Sequence, residues 1–219
     1  MNEILQTIIR LPEIKLNTRD AHKLRGFFGD YFKQHSPLLH NHYEDGTLRY
    51  QYPLIQYKVI GSTPTLVALN EGAELLSSLF LKIDQINIEG KTYPVNSKNI
   101  EQRKVPAGIG QSLYEYRFET LWMALNQQNH KEYVSLSTEE RTDKLNQVLR
   151  NNILSFYKGA GIWLDAKVMT KGKFIEKETR FKEKRMLAFA GSFVTNAQLP
   201  SGIGLGKSVA RGFGTLSSC

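Results

Sequence analysis

Two histidines one residue apart, His40 and His42, open the polar stretch HNHYEDGTLRY at positions 40–50. Imidazole titrates near neutrality, so one ring can take a proton while another gives one. In an extended segment, residues two apart share a face with Cα atoms about 6.6 Å apart. That spacing suits two rings flanking one reacting bond. Tyr50 closes the stretch, and its hydroxyl can donate a hydrogen bond or orient a ring. On residue type alone, the pair reads equally as solvated loop histidines or a fortuitous metal site, and Tyr50 as a sheet-face aromatic beside Tyr52. The other histidines are weaker candidates. His35 reads as a helix-terminal cap with catalysis in reserve, His22 as structural, and His130 sits in the polar run QQNHKE. With one terminal cysteine, no HExxH and no clustered carboxylates, neither a metal nor another cofactor is expected.

Charge points to an anionic partner. The 219 residues carry a net +8, split as +2 over residues 1–110 and +6 over 111–219. Residues 167–211 hold ten Lys and Arg against three Glu. From Lys171 through Lys173, Arg180, Lys182 and Lys184 to Arg185, basic side chains fall on both faces of a predicted strand. A strand polar on both faces is an edge or a projecting ribbon, and charge there also protects the edge. Nucleic acid or an acidic membrane surface fits such a balance. The longest apolar run, residues 75–83, is too short to span a bilayer, and the N-terminus lacks a signal-peptide pattern. With no possible intrachain disulfide, the expected compartment is the cytoplasm.

Near the C-terminus, GIGLGKSVARGFG places five glycines (Gly202, Gly204, Gly206, Gly212 and Gly214) around Lys207 and Arg211. Gly206-Lys207-Ser208 spells the end of a P-loop, but the first glycine of that motif would fall at position 201, which is serine. The helix a P-loop requires would also contain Gly212 and Gly214. A turn explains one or two glycines. Five, interleaved with cations, favour a backbone that approaches a polyanion closely and aims N–H donors at it.

The elements around these residues follow from periodicity. A strand over residues 3–10 precedes a helix capped by Asn17 or Thr18, with Leu24, Phe28 and Tyr31 inward. Strands over 47–60 and 63–69, a helix over 71–82 and a strand over 85–89 complete β-α-β-β-α-β. Residues 105–110 read as a linker. The second half begins alike: a strand over 112–118, then a helix opened by the capping box Ser137-Thr-Glu-Glu140. Strands over 162–170, 174–185 and 187–195 follow, then the glycine run and a last strand over 208–216, with no second helix visible. The expected fold is α+β, with tandem ferredoxin-like (RRM-like) domains over 1–104 and 111–219. The second is a modified copy ending in a glycine-rich loop, 202–214.

The C-terminal G-Φ-G-x(n)-G-Φ-G loop feeding a last strand resembles that of the CRISPR-associated repeat-RNA endoribonucleases of the RAMP superfamily. KLRGFFGDYF at 23–32 and HNHYEDGTLRY at 40–50 are similar to its subtype-I-B-like branch. The resemblance implies metal-independent cleavage of CRISPR precursor RNA within each repeat by attack of a 2′-hydroxyl, leaving a 2′,3′-cyclic phosphate and a 5′-hydroxyl. It makes His40 and His42 the acid–base pair and Tyr50 a third member. Repeat RNA is the implied partner, held by the basic ribbon and glycine loop, with a CRISPR effector complex and a homodimer as further options. A non-catalytic RNA-binding RAMP subunit is the alternative; it would keep the ribbon and loop but not need the histidines.

Overall fold

The computed structural model describes residues 2–31, 52–181 and 184–219. The chain falls into two units: Asn2–Pro106 with Val209–Gly212, and Ala107–Ser208 with Phe213–Cys219.

In the N-terminal unit, β1 (Asn2–Arg10), β2 (Ile55–Ile60) and β3 (Thr63–Leu69) are antiparallel, with β3 in the middle. Helix α1 (Ala21–Tyr31) follows a single 3-10 turn, Thr18–Asp20, where the Asp20 carboxylate accepts from the Asn17 N–H at 3.0 Å. Its Leu24 and Phe28 are fully buried, and so are Ala73 and Leu76 of α2 (Glu71–Leu79). These four pack on Ile9, Tyr57, Leu66 and Ala68, the alternate residues that face one side of the sheet. Burying each large apolar side chain is worth roughly 1.5–3 kcal/mol.

The fourth strand differs from expectation. Residues 85–89 do form β4 (Gln85–Ile88), but it pairs only with β5 (Lys91–Pro94) in a separate ribbon. The sheet is completed by the start of β6 (Asn99–Phe118), giving the order β2-β3-β1-β6. The supposed linker, residues 105–110, lies inside β6. The pairing register shifts between Ile109 and Tyr114, and Gly110 falls in that irregularity. The expected strand over 47–60 is described only from residue 52 and is regular from Ile55.

The C-terminal unit continues from the end of β6 through α3 (Gln127–Ser135), α4 (Thr138–Gly159), β7 (Thr170–Phe181), β8 (Lys184–Gln198) and β9 (Leu216–Ser218). The capping box forms: Glu140 Oε2 accepts from the Ser137 N–H at 2.8 Å. Residues 162–169 are not a strand, and the closing strand starts at Leu216 instead of 208. Pairing is antiparallel in the order β9-β6-β8-β7. Relabelled within each unit, both sheets read fourth-first-third-second, the ferredoxin-like arrangement. The fold is therefore α+β and tandem ferredoxin-like. Where the second copy needs its second helix it has the glycine loop, whose one helical turn is the 3-10 segment Val209–Arg211. Among the described residues, no helix is long and apolar enough to cross a membrane.

Candidate nucleic-acid interface

The basic residues expected on one strand over 174–185 belong instead to two arms of the β7–β8 hairpin, since β7 ends at Phe181 and β8 begins at Lys184; β7 lies at the end of the strand order as its charge predicted. Pairing from Thr170↔Thr195 to Phe181↔Lys184 decides which side chains share a face. One face carries Phe174, Phe189 and Phe193, and all three lie within 5.1–6.5 Å (ring centroids) of Trp122 or Phe118. The opposite face carries the exposed Lys171, Lys173 and Lys177. Towards the hairpin end, on the face of the phenylalanines, Arg180 stands directly across from Arg185 and both are exposed. Like charges directly opposite destabilise a sheet; a bound anion removes that penalty. Lys184 begins β8, and Lys182 lies outside the described residues.

The root of the hairpin is fixed. Asn146 of α4 accepts from the Gly172 N–H at 2.8 Å, and the Asn146 carbonyl accepts from Thr170 at 3.1 Å. The segment entering α3 pairs with β8 through Trp122 and Phe189, whose amides exchange bonds of 2.7 and 2.9 Å. Trp122 is fully buried and donates from Nε1 to Asn152 at 3.0 Å.

The glycine run is a zipped loop. Gly202 N–H donates to Leu216 (2.8 Å), Leu205 to Gly214 (2.9 Å), and Gly214 to Leu121 (2.9 Å). Between the glycines, Ile203 and Leu205 are fully buried. Two glycines have a reason within the protein itself. At Gly206, φ is +91° and a Cβ would lie 2.6 Å from Trp122 Nε1; at Gly214, φ is +63° and a Cβ would collide with the Leu205 carbonyl oxygen. Gly204 bridges to Thr215. Only the single 3-10 turn Val209–Arg211 follows Ser208, not the α-helix a P-loop requires, so the P-loop geometry is absent at this tripeptide. Lys207 is exposed and held in place by its own N–H, which donates to the Met123 carbonyl at 3.0 Å.

The tip of the loop, Val209–Gly212, belongs to the N-terminal unit. Gly212 (φ +89°) presses on α1, where a Cβ would lie 2.6 Å from that of Ala21. Arg211 comes near Arg25 of α1, a half-buried residue that sequence reasoning missed. Burial, then the charge of Arg211, lowers the pKa of Arg25. Next to them on β2, Lys58 is fully buried and its pKa is pushed down to about 7 by burial.

His40, His42, Tyr50 and the reserve His35 lie outside the described residues, in the chain that joins α1 to β2. On the β2 side, Tyr52 Oη accepts from Gln56 Nε2 at 2.7 Å. His22 is exposed on α1, and its Nδ1–H donates to the Arg19 carbonyl at 2.7 Å. Among the described residues, no group of three or more His, Cys, Asp or Glu is placed to hold a metal.

The sequence profile of the Cas6b N-terminal domain matches residues 3–106, and that of the Cas6b C-terminal domain matches residues 108–219. The chain belongs to the Cas6b family. A crystal structure of Cas6b matches with a TM-score of 0.95 and 31% identity over 100% of both chains. A second Cas6b, described as a CRISPR RNA processing endoribonuclease, matches at TM-score 0.81 and 30% identity, again over 100% of both chains. The type IV crRNA endonuclease Csf5, at TM-score 0.60 and 10% identity, shares the fold alone. An uncharacterized protein of Methanocaldococcus jannaschii, MJ0978, is 28% identical over 144 residues, which is 64% of this chain and 97% of that protein. Cas6b membership bears out the kinship with the RAMP-superfamily repeat-RNA endoribonucleases.

Proposed function

We propose that this Cas6b chain is an endoribonuclease that cuts CRISPR precursor RNA within its repeats, by internal transesterification and without a metal ion. One of His40 and His42 removes the proton of the 2′-hydroxyl 5′ to the break. The freed oxygen attacks the adjacent phosphorus, and the other ring protonates the departing 5′-oxygen. The products are a 2′,3′-cyclic phosphate and a 5′-hydroxyl. Tyr50 donates to a phosphate oxygen or orients a ring. Arg25 and Arg211 neutralise phosphate charge in the N-terminal unit. Lys171, Lys173, Arg180, Lys182, Lys184 and Arg185 of the hairpin hold the RNA backbone, and so do Lys207 and the glycine loop's amides. The observation that carries this reading is the agreement of the whole chain with Cas6b at TM-score 0.95.

The test is incubation with end-labelled repeat RNA in excess EDTA, followed by analysis of the new termini. The reading expects cleavage, with a 3′ product end that acid opens to a monophosphate and a 5′ end that a polynucleotide kinase can label directly. Tight binding without cleavage would instead favour the non-catalytic RNA-binding subunit, whether it acts as a homodimer or within an effector complex.

A further inference from the structure

The C-terminal unit contains a cavity of about 750 Å³, within the ~300–1,000 Å³ range of small-ligand sites. Leu125, Met186 and Leu187 are its apolar lining residues. Lys131, Arg185 and Lys207 line it as well, with His130, and Asn126, Gln127 and Gln128 add amide groups. Among the described residues, no lining residue is acidic. The nearby Glu132 of α3 is engaged by Lys144 at 2.7 Å.

Three separate segments build this cavity, and each is anchored. The strand start at Arg185–Leu187 is tied to the chain before α3 by the paired amides of Trp122 and Phe189. Lys207 is positioned by its amide bond to Met123. The first turn of α3 is set by Asn126, whose side chain accepts from the Asn129 N–H at 2.7 Å. The backbone that carries these lining residues is thus fixed within the unit.

We propose that this cavity seats an unpaired nucleotide of the bound RNA, its base against Leu125, Met186 and Leu187 and its flanking phosphates on Lys131, Arg185 and Lys207. The proposal rests on the reading of the chain as an RNA-processing enzyme and adds a site for single-stranded RNA to it. Charge complementarity selects the occupant. A free small anion needs no apolar lining, and an apolar ligand needs no cations, whereas a nucleotide uses both. A base laid on side-chain surface and a phosphate on a cation are the two elements of single-strand recognition, and they permit a base preference through the amides of residues 126–128.

The test uses the full chain with repeat RNA carrying single 5-iodouridine substitutions, photocrosslinked and mapped by peptide mass spectrometry. In parallel, Lys131→Glu and Leu187→Asp are titrated with the same RNA and with a version bearing one abasic nucleotide at the crosslinking position. The expected results are a crosslink within residues 125–131 or 186–187 and about tenfold weaker binding by Lys131→Glu, an exposed change that leaves the melting temperature unchanged. Removing the one base weakens wild-type binding but no longer matters to Leu187→Asp. Crosslinks confined to other peptides, or wild-type affinity in both variants, would overturn the cavity while cleavage by the wild type left the enzymatic reading standing. A wild-type protein that binds no repeat RNA would overturn both.

Discussion

Both units order their strands fourth-first-third-second, yet between the third and fourth strands one has helix α2 and the other a glycine-rich loop. Helix α2 fills its place with Ala73, Leu76 and Leu79, a stripe that points into the core. The loop fills the corresponding stretch with Ile203 and Leu205 and zips its two arms by backbone bonds. A helix satisfies its amides internally. The loop satisfies several on neighbouring segments and presents Lys207 on the surface. The difference teaches that the same place in the fold can be filled by a helix that only packs or by a loop that also carries a surface cation. The histidine segment has no counterpart in the C-terminal unit, and the basic hairpin has none in the N-terminal unit. The proposed function thus divides chemistry and affinity between two copies of one fold.

The largest effect expected from that division is on rate. His40→Ala or His42→Ala should slow single-turnover cleavage by about a hundredfold or more, the scale of a lost general acid or base, while a binding titration changes little. Normal cleavage by both variants would place the chemistry elsewhere. A second break of the comparison is Gly214→Ala. Its positive φ and the collision with Leu205 should cost about 2–5 kcal/mol in urea unfolding, an effect of packing that precedes any role in RNA binding. Wild-type stability would mean that the loop is not the rigid plug described.

Charge reversal of the cross-strand pair, Arg180→Glu with Arg185→Glu, sharpens the affinity side. It should weaken repeat-RNA binding about tenfold and flatten the dependence of log K on log salt. An unchanged salt slope would remove the hairpin from the interface. The smallest effect concerns Lys58. Its folded-state pKa of about 7 lies below its ordinary 10.5, so between those values the unfolded chain binds a proton that the folded chain does not. Stability therefore rises with pH across that window. Thermal melting at pH 7 and pH 9 should show the rise, and Lys58→Met should reduce it.

Much of this was legible in the chain. The capping box at Ser137, the inward stripe of Leu24 and Phe28, and the two-faced charge of residues 171–185 each follow from local chemistry. Helix α3 was not legible, because QQNHKEYVS offers almost no apolar stripe. It is held by the Asn126 cap and by Tyr133, buried with its hydroxyl donating to Glu176 at 2.7 Å. Strand β6 was misread at residues 105–110 because Pro106, Gly108 and Gly110 look like a linker when the long-range pairing of the strand is unknown. Arg25 and Lys58 carry no local signal; only long-range packing sets Arg25 near Arg211 and buries Lys58 on β2. The cavity beside Lys131 likewise draws on segments up to 82 residues apart, from Leu125 to Lys207.

The central claim is that an RNA 2′-hydroxyl is the nucleophile, and one substrate tests it most directly. Repeat RNA with a single 2′-deoxy nucleotide on the 5′ side of the mapped break is incubated with the protein in excess EDTA, beside the all-ribose strand. Cleavage of the ribose strand alone, with both bound equally, is the predicted result. Cutting of the deoxy strand at the same position would mean that water or another nucleophile attacks, and would contradict the mechanism assigned to His40 and His42.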